Sequence, residues 1–271
     1  MSYAVILIYV DVDKVSRERI RLAAGLADKF NAKLVGMSAM IVRSPVVAEG
    51  VAIAAITESD IHDVEERLGA VAKSFRTFAG REDVEWRQAI EFPDDALPRA
   101  ARGADLIVIG QSQGLGNAYC ALDSGTAVLT AGRPVLVVPD GIDHLKADHV
   151  MIGWKDTREA RRALRDALPF CHEAERVTVM EICEPGAQAQ ARDNLEDVVG
   201  YLARHRVKAK ALVFPEQGGS AGTRLTSLAK EQGADLLVTG SYGHGRLREW
   251  FFGGVTRELI KHSPMCCLMS H

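Results

Sequence analysis

The sequence predicts an α/β protein made of two successive doubly wound domains, each built on a five-stranded parallel sheet. Short apolar runs rich in β-branched residues alternate with segments of helical period, a pattern typical of parallel strands covered by helices. The order of these runs also repeats along the chain. ADLIVIG at 104–110 returns as ADLLVTG at 234–240, and VILIYVD at 5–11 returns as VMIGWKD at 150–156. Such an internal repeat indicates that each copy is a structural unit.

Each copy is predicted to contain five strands and four helices. In the first copy the strands are expected near 5–10, 33–40, 84–90, 105–109 and 135–138, and the helices near 16–30, 57–79, 94–102 and 124–131. In the second copy the strands are expected near 150–154, 176–182, 208–214, 235–239 and 265–269, and the helices near 157–168, 187–205, 222–232 and 253–262. A polar, turn-rich run at 139–144 separates the copies. We therefore expect one domain over 1–141 and another over 147–271.

Composition is that of a folded protein and argues against several classes of partner. Apolar residues make up 47% of the chain and charged residues 25%, close to the averages for globular proteins. The net charge of -3 leaves no basic excess for nucleic acid or anionic lipid. No apolar run approaches the roughly 20 residues that span a bilayer, and the N-terminus lacks a signal pattern. We expect a cytoplasmic protein with neither membrane nor nucleic acid as a partner.

The five cysteines include no C-x-x-C pair, and their number is odd. This pattern argues against a disulfide framework and against a thiolate zinc site. The adjacent Cys266 and Cys267 lie in a predicted strand, where cysteine usually packs as a small apolar residue.

A glycine-rich segment follows the fourth strand of the second copy. Gly240, Gly243 and Gly253 are spaced as G-x2-G-x9-G. Glycine at the end of a strand lets a ligand approach the backbone closely. The helix that starts near Gly253 would present free N–H groups and a positive dipole end to a phosphate. Turn formation alone is the alternative explanation for the same glycines.

This order of elements and this glycine spacing resemble the universal stress protein family in its tandem, two-domain form, over nearly all of the chain. The resemblance implies a fold like that of the adenine nucleotide alpha hydrolases. It also implies that the second domain binds ATP or another adenine nucleotide, ADP or AMP, with Mg²⁺ as a companion ion. The residues to which the resemblance assigns nucleotide contacts are Trp154, Lys155, Asp156, Ile182, Gly240, Gly243, His244, Gly253, Gly254 and Val255.

Two positions depart from the family pattern. Gly254 stands where nucleotide-binding members carry Ser or Thr, so an oxygen used at the phosphates is absent. Lys155 stands where an Asp is usual at the end of the first strand, or else Asp156 takes that role one residue later. Asp156 could equally cap the helix that follows.

The corresponding loop of the first copy departs further. Gly110 is followed by Gln113 where a second glycine is expected, although Asp11 is retained at the end of the first strand. We therefore expect this cleft to be vestigial or repurposed. The apolar stretch 41–56 would cover this cleft or pack against the other domain.

No catalytic set emerges, because the sequence has no nucleophile elbow and no P-loop with its lysine. The first hypothesis is a stress-response regulatory protein that binds an adenine nucleotide in its second domain and acts on a protein partner, with weak ATP hydrolysis as a secondary activity. The second is a stress-linked interaction scaffold that binds no nucleotide. The third is a hydrolase or transferase that uses the N-terminal cleft. The two halves are expected to pack as an internal pseudo-dimer, in a monomer or a homodimer.

Overall fold

The computed structural model describes residues 2–42, 56–111, 117–241 and 254–271. The strands are β1 (Val5–Tyr9), β2 (Lys33–Ala39), β3 (Val84–Ala89), β4 (Leu106–Gly110), β5 (Val135–Val138), β6 (His149–Trp154), β7 (Arg176–Cys183), β8 (Ala209–Pro215), β9 (Leu236–Gly240) and β10 (Cys266–Ser270). The helices are α1 (Arg17–Phe30), α2 (Glu58–Ala79), α3 (Pro93–Ala100), α4 (Ser124–Thr130), α5 (Arg158–Asp166), α6 (Leu168–Glu173), α7 (Gln188–Arg204), α8 (Ala221–Glu231) and α9 (Gly254–His262).

All ten strands form one sheet in the order β3-β2-β1-β4-β5-β10-β9-β6-β7-β8. Within each half of the chain the neighbouring strands are parallel, and the first strand lies between the second and the fourth. The two halves meet where β5 pairs with β10 in antiparallel register, with Leu136 opposite Leu268. Each half is therefore doubly wound, and the halves share a continuous hydrogen-bonded sheet.

The α/β fold and the ten predicted strands are confirmed, each strand to within one residue at either end. One helix prediction is wrong, because the segment expected as a single helix over 157–168 ends at Asp166. A second helix starts at Leu168, with Pro169 in its first turn. Proline lacks a backbone N–H and is tolerated in the first turn of a helix but disfavoured in its interior.

Helices cover both faces of the sheet and bury two apolar layers. One layer is formed with α1, α2, α5, α6 and α7 and includes Phe75 and Phe170. The other is formed with α3, α4, α8 and α9 and includes Leu97 and Leu259. Within the described ranges, no helix is long and apolar enough to cross a membrane.

The five cysteines are all buried and free. Cys266 and Cys267 follow each other on β10, and their side chains enter the two different apolar layers. Successive side chains on a strand point to opposite faces, so each of these cysteines packs in its own layer, as the sequence predicted.

Candidate functional site

The candidate site lies at the carboxyl edge of the sheet in the C-terminal half. In a doubly wound sheet, ligands bind outside the carboxyl ends of the strands, where the winding reverses. Here that point lies between β6 and β9, which are neighbours. Trp154 ends β6, Gly240 ends β9, and Ile182 lies one residue before the end of β7. The topology thus brings three of the residues named from the sequence to one edge of the sheet.

Gly240 has a structural requirement of its own. A β-carbon at this position would lie 2.5 Å from the backbone nitrogen of Ala160 and 2.6 Å from the carbonyl carbon of Glu159. The first turn of α5 therefore packs directly on the end of β9. The hydroxyl of Thr157 caps this turn by accepting from the Ala160 N–H at 3.2 Å. Close backbone packing, rather than a turn, accounts for the glycine.

Trp154 and Glu181 are register partners on β6 and β7. Trp154 is 8% exposed, and among the described residues its indole Nε1 has no hydrogen-bond partner. Oε2 of Glu181 is also buried and lacks a partner within the part of the chain that the structure describes. Burial, together with the charge of Asp156, raises the pKa of Glu181, and Lys155 opposes the rise. Each unpaired buried group costs about 1–3 kcal/mol.

Lys155 and Asp156 are both exposed and follow directly after β6. The Asp156 carboxylate forms an ion pair with Arg161 on α5, and both side chains are more than half exposed. The residue that caps α5 is Thr157, so the sequence-based alternative of Asp156 as the cap is wrong. Both residues stand at the rim of the site, where solvent reaches them.

The helix α9 begins at Gly254, which is exposed. A β-carbon at Gly254 would meet nothing within 4 Å. Val255 is half-buried against the apolar layer, and Thr256 is buried. A helix that connects two parallel strands starts at their carboxyl edge, so α9 directs its N-terminal N–H groups towards the candidate site.

Glu258 connects α9 to the neighbouring helix α8. Its carboxylate accepts hydrogen bonds from the hydroxyls of Ser220 and Thr223, at the start of α8. Ser220 is also the N-cap residue of α8. Hydrogen bonds thus connect α9, whose N-terminus faces the candidate phosphate position, to the beginning of α8.

Several residues named from the sequence lie outside the described residues. These are Gly243, His244 and Gly253, which belong to the glycine loop, together with Gln113 of the first copy and nearly all of the apolar stretch 41–56. Their assignments stay predictions.

The N-terminal half places different groups at the equivalent positions. Gly110 ends β4 as Gly240 ends β9. A β-carbon on Gly110 would lie 2.5 Å from the guanidinium carbon of Arg19. Nη1 of Arg19 lies 2.6 Å from Oδ2 of Asp11, and the side chain of Arg19 is 8% exposed. An ion pair thus lies over the end of β4.

Tyr9 and Cys120 occupy the same edge in the N-terminal half. The hydroxyl of Tyr9, which is fully buried, lies 3.2 Å from the carbonyl oxygens of Ala39 and Cys120. Cys120 packs in a small apolar cluster with Met40 and Leu68. Burial and the nearby carboxylate of Asp13 raise the pKa of the Cys120 thiol to about 12.

Sequence reasoning missed four of these groups, namely Arg19, Tyr9, Glu181 and Glu258. Arg19 is three residues after Ser16, the N-cap of α1. Charged residues are common in the first turn of a helix, so nothing in the sequence distinguishes this one. Glu181 carried one signal, because it is a charged residue in the interior of β7, between the apolar Met180 and Ile182.

Comparison with known proteins gives one match to a family model and several to solved structures. Residues 146–271 match the model described as the Universal stress protein family. No curated protein matches the chain.

A universal stress protein from Archaeoglobus fulgidus DSM 4304 is similar over 98% of this chain and 95% of its own, with 15% identity and a TM-score of 0.73. A functionally unknown protein from Pseudomonas aeruginosa PAO1 is similar over 99% of this chain and 92% of its own, with 13% identity and a TM-score of 0.61. A universal stress protein in complex with cAMP covers 51% of this chain and 98% of its own, with 21% identity and a TM-score of 0.37. At these identities the first two structures show the shared fold, and the third carries no argument.

Proposed function

We propose that the C-terminal half of the chain binds an adenine nucleotide and acts as a regulatory module, because residues 146–271 match the model of the universal stress protein family. The proposal divides the chain into domains over 1–141 and 147–271. Nucleotide binding would change a surface that a protein partner recognises, without requiring turnover.

One observation supports the phosphate end of this site most directly. The helix α9 begins at an exposed Gly254 with open space where a side chain would be. Its first N–H groups have no partner within the helix, and the helix dipole favours a negative charge there. A triphosphate could approach this backbone without meeting a side chain at Gly254.

The remaining proposed contacts surround the same edge of the sheet. Trp154 and Ile182 would line the position of the base, and the exposed Lys155 and Asp156 would lie beside the ribose. Gly240 would let the start of α5 pack against the end of β9 beside these residues, and Gly243, His244, Gly253 and Val255 would complete the phosphate loop. Mg²⁺ would accompany the phosphates, whose oxygens would supply several of its ligands.

Calorimetric titration with ATP, ADP and AMP tests the proposal. We expect at least one nucleotide to bind and to raise the melting temperature at millimolar concentration. A ligand that binds only the folded state stabilises that state by about 2.7 kcal/mol when its concentration is a hundred times Kd. Native mass spectrometry of freshly purified protein would identify a retained ligand. The proposal is wrong if none of the three nucleotides binds at millimolar concentration.

A second candidate function is an interaction scaffold that binds no nucleotide. It is favoured by the absence of a hydroxyl at Gly254 and by Lys155, which stands where an acidic residue is usual. The substitution Gly254→Ser separates the two candidates. A variant that gains nucleotide binding absent from the parent supports the scaffold, whereas binding by the parent chain itself contradicts it.

A further inference from the structure

Every fully exposed residue of α5 is an arginine, and these residues form one row along the helix. They are Arg158, Arg161, Arg162 and Arg165, called here the arginine stripe. Residues three, four and seven positions apart lie on the same side of a helix. The opposite side of α5 is buried and is made of Glu159, Ala160, Ala163 and Leu164. At 1.5 Å per residue the stripe is roughly 10 Å long.

The corresponding helix of the first copy buries part of the same surface. Counted from the N-cap of each helix, Arg161 occupies the position of Ile20 in α1. Arg165 likewise occupies the position of Ala24. Ile20 and Ala24 are both buried in an apolar layer, and α1 packs against α2. The helix α5 packs instead on β6, β9, β10 and α6. A surface that is covered in the first copy is therefore exposed and charged in the second.

The carboxylates of the chain neutralise only part of the arginine stripe. Two of its members form ion pairs with neighbouring residues, Arg158 with Glu159 and Arg161 with Asp156. Arg162 donates to the main-chain oxygen of His271 at 2.6 Å. Within the described ranges, neither Arg162 nor Arg165 forms an ion pair. Half of the stripe therefore lacks a bound carboxylate.

Asp166, the last residue of α5, lies beside the stripe without neutralising it. Burial raises the pKa of its carboxyl, and the groups that lower it are a hydrogen bond from Ser270 and the charges of Arg165, Arg162 and Arg133. The carboxylate accepts from the Ser270 hydroxyl at 2.7 Å. Arg133 is an exposed residue of the N-terminal half. Positive charge therefore extends from α5 towards the junction of the two halves.

The arginines present free donors in fixed directions. A guanidinium has five N–H donors and binds a carboxylate through two of them. The side chains of Arg158 and Arg161 are 65% and 58% exposed although both are held by an ion pair. Donors that are already oriented lose less conformational entropy when a ligand binds. This arrangement suits a ligand that carries several carboxylates.

The size of the stripe favours a peptide segment over a larger polyanion. The chain as a whole has a net charge of -3, so the stripe is a local feature of an acidic protein. Nucleic acids and anionic bilayers bind surfaces that neutralise many phosphates at once. A row of roughly 10 Å matches two turns of a helix whose acidic residues lie three or four positions apart.

We propose that the arginine stripe is the surface on which a partner protein docks, through an acidic segment with its carboxylates on one side. The inference rests on the proposed function for the regulatory role of this contact. The helix α5 begins against Gly240 at the candidate site, so the stripe belongs to the helix that adjoins the proposed nucleotide.

The probe is fluorescein-labelled poly-L-glutamate of about 20 residues, titrated with the full chain without nucleotide and followed by fluorescence anisotropy. We expect binding at about 20 mM salt and weaker binding at about 150 mM, because salt screens exposed charges. Arg162→Glu combined with Arg165→Glu should lower the affinity at least about tenfold, through loss of two ion pairs and added repulsion. The inference is wrong if the parent chain does not bind the probe at low salt.

Arg192→Glu combined with Arg204→Glu is the matched control, because both arginines are exposed on α7 and the net charge changes equally. This control should change the affinity by less than about twofold, since its charges lie outside the stripe. Equal losses in the two double variants would reveal a general charge effect and contradict the inference. If the α5 charge reversal does not fold, Arg162→Gln with Arg165→Gln replaces it. That pair should lower the affinity about threefold, and an unchanged affinity would count against docking here.

Three further measurements exclude other occupants of the stripe. A DNA duplex or an anionic phosphatidylglycerol vesicle that binds more tightly than the probe, with the same dependence on Arg162 and Arg165, would overturn the inference. So would a dimer of the parent chain, seen by sedimentation without probe, that the α5 variant does not form. Failure of nucleotide titration alone contradicts the proposed function and leaves docking on α5 intact, since the probe is measured without nucleotide.

Discussion

A β-carbon on Gly240 would lie 2.5 Å from the backbone nitrogen of Ala160. The end of β9 and the first turn of α5 are therefore too close to admit even a methyl side chain between them. This contact fixes the start of α5 beside the candidate site. It also gives Gly240 a role in folding that is separate from any role in binding.

We expect Gly240→Ala to destabilise the chain by about 2–3 kcal/mol, because the added methyl group meets backbone atoms that must shift to admit it. Gly254→Ala is the matched substitution, since a β-carbon there meets nothing within 4 Å. It should change stability by less than about 0.5 kcal/mol. Urea unfolding of both variants measures the difference, and equal losses would contradict the close approach at Gly240.

Gly36 on β2 has a similar relationship to a side chain on α2. A β-carbon at Gly36 would lie 2.6 Å from the Phe75 ring. Gly36→Ala should therefore cost about 1–3 kcal/mol, and less when Phe75→Leu provides room. Gly69→Ala, on the same helix and with nothing near its β-carbon, should instead stabilise by about 0.5–1 kcal/mol. The idea fails if the cost of Gly36→Ala is the same with Leu at 75.

Asp166 should make stability depend on pH. Burial raises the pKa of its carboxyl, against the opposing effects of a hydrogen bond from Ser270 and of nearby arginines. The folded chain then holds this proton more tightly than the unfolded chain. The resulting stability is present below the unfolded pKa of about 3.9 and is lost as the pH rises through the folded value.

Asp166→Asn removes this ionisation while its amide oxygen still accepts from Ser270. The variant should melt above the parent at pH 7, and the difference should shrink towards pH 3.5. Melting curves across this range measure it, with Asp63→Asn on the exposed side of α2 as the control. A difference that grows on acidification would have the wrong sign.

Four of the five cysteines should react slowly in the folded chain. Burial raises the pKa of the thiols of Cys120, Cys171, Cys266 and Cys267 to about 12. The thiolate is the reactive form, so a disulfide reagent at pH 8 should label these four thiols at least about a hundredfold more slowly in the native chain than in the chain unfolded in urea. Rapid labelling of native protein would show that these layers open readily.

The strands were predictable because their signal is local. Runs such as 104–110 and 234–240 combine β-branched residues with bounding turns, and a buried parallel strand needs little else. The helix after β6 was harder, because the apolar period continues past Asp166 while Pro169 restricts the backbone. There a covalent constraint outweighs the pattern.

The sequence predicted which strand ends form the candidate site, but not the contacts that its residues make. Glycine spacing located the edge of the sheet, but it did not show that Gly240 packs on Ala160 or that Gly110 packs on Arg19. These contacts depend on how far each helix start lies from its strand end, which is a property of the packed layers. The pairing of β5 with β10 likewise joins segments far apart in the chain.

That antiparallel pairing has a consequence for attempts to divide the protein. Either half produced by itself would present the bare ladder of β5 or β10 to solvent, a surface that recruits other chains. Such a fragment should self-associate through its exposed strand, which pairs with the other half in the intact chain. Because the two halves are covalently linked, β5 and β10 pair within one chain, and this pairing prevents either strand from recruiting other chains.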